Sequence, residues 1–140
     1  MSAQTEPDPE QWAEAVEWLS HVDQDLRLVE MVLADDDPPL LPAALHCQQA
    51  AEKMAKAVLI ALKIAPPRTH NIGALAKLIA ASHVEIAERI SQLDELTSWY
   101  LTSRYPDGEP SRAPAKAEIS SVLEKLRALR RLVDTLAPKP

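Results

Sequence analysis

The 140-residue chain predicts an all-α fold, an antiparallel up-and-down bundle of four long helices and one short one. Apolar residues recur at alternating spacings of three and four through most of its length, which places them on one face of a 3.6-residue helix. With only two glycines the chain has few positions for the tight positive-φ turns of hairpins. Twelve prolines fall almost entirely between the periodic segments, where they end helices.

Residues 1–7 read as a disordered lead-in, and 8–137 as a single domain. Asp8-Pro9-Glu10-Gln11 is a helix start, with Asp8 as N-cap and Pro9 at the first helical position. Trp12, Ala15, Leu19, Val22, Leu26, Val29 and Leu33 then form one stripe to about residue 34. Asp35-Asp36-Asp37-Pro38-Pro39 stops that helix and reads as a solvated loop, not as a metal site.

The second helix runs over about 39–63, with Cys47, Ala51, Met54, Val58 and Leu62 on its apolar strip. His46, Gln49, Lys53 and Lys56 share another face, and Ala50 and Ala57 beside them leave room for a second backbone. After Pro66-Pro67 a short helix spans about 71–81, capped by Thr69 or Asn71, with Ile72, Leu75, Leu78 and Ile79 inward. Ser82-His83-Val84-Glu85 fits a capping box with Ser82 as N-cap. It opens a long helix carrying Ile86, Ile90, Leu93, Thr97 and Tyr100 and ending near Arg104. A turn-rich loop, Pro106 to Pro110, leads to a last helix from about Pro114, striped by Ile119, Val122, Leu126, Leu129, Val133 and Leu136.

A net charge of −6 argues against a protein that coats nucleic acid nonspecifically. One cysteine excludes an internal disulfide and suits a reducing cytosol. Polar, acidic residues 1–10 do not resemble a signal peptide, and no apolar run is long enough to span a membrane, so the expected location is cytoplasmic.

Three clusters carry the candidate chemistry. His46, Gln49 and Lys53 offer donors for phosphate oxygens or a base edge, or hydrogen bonds that set helix packing; Gln48–Glu52 and Glu52–Lys56 have the i,i+4 spacing for the second reading. Arg68 and His70 flank a helix N-terminus, where free backbone N–H groups favour an anion. Arg104, Tyr105 and Asp107 form the third, with Arg104 either binding phosphate or pairing with Asp107. The basic run Lys125 to Arg131 reads as a solvated face before an RNA-contacting one. Gly73 and Gly108 are too far apart for a phosphate loop, and the histidines and Cys47 lack zinc spacing. No catalytic residue, metal or cofactor is assigned.

Taken together, the segments Ala44 to Ala57, Thr69-His70-Asn71-Ile72-Gly73-Ala74-Leu75 and Arg104-Tyr105-Pro106-Asp107 resemble HEPN domains (higher eukaryotes and prokaryotes nucleotide-binding). They match, in order, that family's second helix, its Thr-His-Asp-Leu segment and its Arg-Tyr-Pro-Asp helix ending. The resemblance spans roughly residues 10–136. It implies a compact helical domain, often a homodimer, linked to nucleotides or RNA, with many members paired with a minimal nucleotidyltransferase encoded nearby in toxin–antitoxin-type systems. The family's ribonuclease branch uses Arg-x(4–6)-His near the fourth helix. Here all four histidines precede Arg89, so that pair is missing.

The expected function is therefore binding of a nucleotide, a nucleotidyltransferase partner or both, through His46, Gln49, Lys53, Arg68, His70, Arg104, Tyr105 and Asp107. A ribonuclease with a non-standard site and a purely structural dimerisation module are the alternatives.

Overall fold

The computed structural model describes residues 7–99 and 114–139. Among them the chain is all-helical: α1 (Pro9–Leu33), α2 (Leu40–Ala61), α3 (Ile72–Ala80), α4 (Val84–Ser91) and α5 (Lys116–Asp134). Residues 1–6 of the expected lead-in lie outside the described residues, and Pro7 is buried.

Cross-helix ion pairs set the register. Asp8 meets Lys63 while Asp25 meets His46 and Lys53, so α1 and α2 run antiparallel. Arg130 reaches Asp23 and Arg127 reaches Glu30, which makes α5 antiparallel to α1 as well. The basic run of α5 is thus partly committed to clamping α1. Burial opposes the charge on Arg130, but its hydrogen bonds to the Asp23 and Asp134 carboxylates outweigh it and hold the guanidinium firmly protonated.

α2 is the central element, packed against α1, α5 and α3. Its Ala43, Cys47, Ala50, Met54, Ala57 and Ala61 are all buried, and these mostly small side chains let α1 lie close. The backbone approach expected at Ala50 and Ala57 is therefore intramolecular. α2 ends in a Schellman turn: Ile64 N–H donates to Leu59 O at 2.8 Å and Lys63 N–H to Ile60 O at 3.0 Å. Lys63 takes the positive-φ position at φ 63°, where glycine is usual.

Three local expectations need correction. His83, not Ser82, caps α4, its Nδ1 accepting from Ile86 N–H at 3.2 Å inside a buried environment that the smaller serine would not fill. α4 stops at Ser91; the chain turns through 92–95 and is helical again over 96–99. That break lets Asp94 reach the start of α3. Leu78 is 41% exposed, because it falls beyond the inward arc held by Ile72, Leu75 and Ile79. The stripe residues of α5, Ile119, Val122, Leu126, Leu129 and Val133, are all buried, joined by Leu123, which the stripe omits, and by Leu136 just past the helix end.

Candidate functional site

The second-helix stripe divides into two polar clusters. His46 and Lys53 both turn towards α1, where Asp25 is 7% exposed. His46 Nδ1 lies 3.0 Å from Asp25 Oδ1, and Lys53 Nζ donates to Asp25 Oδ2 at 2.9 Å. A carboxylate only accepts, so His46 Nδ1 carries the proton in this contact. Gln49 lies between them in sequence, half-buried and without a hydrogen bond among the described residues. Beside Lys53 opens a pocket of about 430 Å³ lined by Glu17, Trp18, His21 and Lys53.

The other cluster centres on Glu52. Its Oε1 accepts from Gln48 Nε2 at 2.9 Å and from His70 Nδ1 at 2.8 Å, while Oε2 accepts from Lys56 Nζ at 2.9 Å. Burial alone would raise the Glu52 pKa; the bonds from Lys56, His70 and Gln48 outweigh it and hold the carboxyl below its ordinary range. Gln48 is 1% exposed, and its Oε1 has no partner among the described residues. Lys56 thus belongs to this cluster and not with Lys53.

The N-terminus of α3 does not await an external anion. Asn71 caps Ala74 N–H, Thr97 Oγ1 accepts from Ile72 N–H, and Asp94 Oδ1 accepts from Gly73 N–H at 2.8 Å. An internal carboxylate occupies the position foreseen for phosphate. Gly73 permits this, since a Cβ there would lie 2.8 Å from Asp94 Oδ1. Arg68 is exposed in the preceding loop and joins neither cluster, and His70 is committed to Glu52. Arg104, Tyr105 and Asp107 lie outside the described residues.

Cys47 is no nucleophile. Burial first, and the Asp25 charge second, push its thiol up to about 12. Among the described residues no group of three or more His, Cys, Asp or Glu side chains could hold a metal ion, and no helix is long and apolar enough to cross a membrane.

Sequence reasoning missed Asp25, Trp18, Glu17 and His21. Their one signal is that Trp18, His21 and Asp25 share an edge of α1 at spacings of three and four, just off the apolar stripe.

A helical domain built on a central alanine-rich helix, with paired carboxylate–histidine–lysine clusters along it, defines the class. The HEPN domain family model matches residues 7–136, and the chain belongs to that family. Neither a curated protein nor a solved structure matches it.

Proposed function

We propose that this HEPN protein is a non-catalytic recognition module that binds a nucleotide and works with a minimal nucleotidyltransferase partner, in a toxin–antitoxin-type pair. The observation that carries the reading is the α1–α2 site. Asp25 holds His46 and Lys53 in place, the Gln49 amide is uncommitted among the described residues, and Trp18 lines a pocket whose volume lies in the range that small ligands fill. A buried carboxylate behind half-exposed donors pre-organises them, which lowers the entropy lost on binding.

Leu28, Met31 and Leu41 are 40%, 62% and 37% exposed. Burying such side chains between two copies supports the homodimer that is common among HEPN domains. Missing catalytic pairing favours binding over cleavage, since no histidine follows Arg104.

Calorimetry with nucleosides and their mono-, di- and triphosphates, and with a co-expressed neighbouring nucleotidyltransferase, tests the reading. Saturable binding that is lost in Lys53→Ala and Gln49→Ala is expected. Heat-silent titrations with every nucleotide and with the partner would sink it.

A further inference from the structure

Resting on the homodimer reading, we infer that two copies pair antiparallel through the outer face of α1, Arg27 of each meeting Glu17 at the other's pocket rim. Ala13, Glu17, Ser20, Gln24, Arg27 and Met31 recur along α1 at alternating spacings of four and three, and all six are exposed. That spacing marks a single face. It lies between the edge that turns Asp25 towards α2 and the edge that ties Asp23 and Glu30 to α5. Val16 and Leu28 flank it, and with Met31 they make up half of the six large apolar side chains left exposed among the described residues.

The strip is complementary to its own reverse. Two such helices laid antiparallel around a two-fold axis at the level of Val22 bring Ala13 opposite Met31, Glu17 opposite Arg27 and Ser20 opposite Gln24. Symmetry then repeats each layer. Every layer sets a short side chain against a long one, or an acid against a base. Neutral Ser20 and Gln24 surround the axis, where any charge would lie close to its own copy. A parallel pairing instead stacks Glu17 on Glu17 and Arg27 on Arg27, and like charges oppose it.

Neither Glu17 nor Arg27 has a side-chain partner among the described residues, whereas Asp23 and Glu30 on the neighbouring edge are taken up by Arg130 and Arg127. Glu17 also lines the α1–α2 pocket with Trp18, His21 and Lys53, and is the one carboxylate among those lining residues. Pairing therefore changes the site as well as the surface. The Glu17 charge is neutralised from outside, and the rim of each pocket gains a guanidinium that the single chain does not supply.

Sedimentation of the full chain over a concentration series, with circular dichroism as the control for folding, tests the pairing. R27E and E17R each raise the dimer dissociation constant about ten-fold or more, and the R27E/E17R double variant, which restores both pairs with the charges exchanged, recovers it. Nitroxide labels report the register, and buried Cys47 leaves each label at one site. Along the helix axis the two labels of an S20C dimer lie about 6 Å apart and those of an A13C dimer about 27 Å apart, from the 1.5 Å rise per residue. A dimer unchanged in R27E and E17R, a double variant no tighter than the single ones, or equal label separations at the two positions overturns this interface and leaves the homodimer intact. A chain that stays monomeric throughout the series overturns both.

Discussion

Asp25 and Glu52 are two carboxylates with nearly the same partners and different duties. Each accepts from one lysine and one histidine. Around Asp25 those partners come from the facing helix and stay about one-third exposed, His46 at 31% and Lys53 at 30%. Around Glu52 the lysine comes from the same helix, four residues on, and is 14% exposed, with buried Gln48 adding a further donor. Donor chemistry alone therefore does not separate a site from a structural tie. Glu52's histidine, His70, is 55% exposed, so what separates the two is how much water the lysine and the further amide donor keep once the carboxylate is satisfied.

The largest expected effect follows directly. Glu52→Ala strands Lys56 and Gln48 with little water to replace the carboxylate, and should cost about 2–4 kcal/mol of unfolding free energy. Asp25→Ala leaves donors that can rehydrate, and should cost about 1–2 kcal/mol while abolishing ligand binding. Urea denaturation of both variants measures the order. A costlier Asp25→Ala would make Asp25 the structural residue and reverse the comparison.

Acid should sharpen the same contrast. The Glu52 pKa is held below its ordinary value of 4.5, so its folded form releases its proton more readily than the unfolded chain does. Its contribution is fully present above that value and disappears as pH falls through the depressed one. Melting temperature should drop below pH about 4.5 in the natural protein and follow a shallower course in Glu52→Gln. Parallel acid profiles for the two proteins would deny Glu52 its ion-pair role.

Much of the fold was legible because a single stripe dictates each long helix. Ile119, Val122, Leu126, Leu129 and Val133 are all buried, as the spacing of α5 requires. The break after Ser91 was not legible, since Ile86, Ile90 and Leu93 keep helical spacing across it and all three are buried. What breaks the helix is tertiary: Asp94 and Thr97 turn to accept from the first N–H groups of α3. The i,i+4 bonds of Glu52 could be read from the sequence, as could the shared face of His46 and Lys53. Asp25, the residue that organises them, could not. It is separated from Lys53 by 28 positions, and only its place on the Trp18–His21 edge sets it apart from the neighbouring Asp23, which pairs instead with Arg130.

Asp94 is a third carboxylate, exposed, whose partner is backbone. Gly73→Ala places a methyl group where the Asp94 oxygen lies, so the carboxylate swings away and its bond to the Gly73 N–H is lost. The expected cost is about 1 kcal/mol, partly offset by alanine's better helix propensity. In an Asp94→Ala background that cost should vanish, leaving the propensity gain alone, and a double-mutant cycle measures the coupling. Additive effects would show that Gly73 is needed for some other reason than room for Asp94.

The smallest effect concerns the fourth pair, Asp8 with Lys63, where both side chains are widely exposed at 44% and 62%. Asp8 is chiefly a cap: the backbone bond from Gln11 is the main reason its pKa is lowered, ahead of Lys63. Lys63 meanwhile sits at positive φ, at a backbone cost of about 1 kcal/mol that glycine does not incur. Lys63→Gly removes the ion pair, which at such exposure contributes little, and relieves the backbone. Glycine's larger unfolded-state entropy takes back part of that gain. A net stabilisation of about 0.5 kcal/mol or less is expected, read as a higher urea midpoint at unchanged m-value. A lower midpoint would mean that this exposed pair outweighs the strain at Lys63, and that water access is a poorer guide to a carboxylate's role than Asp25 and Glu52 suggest.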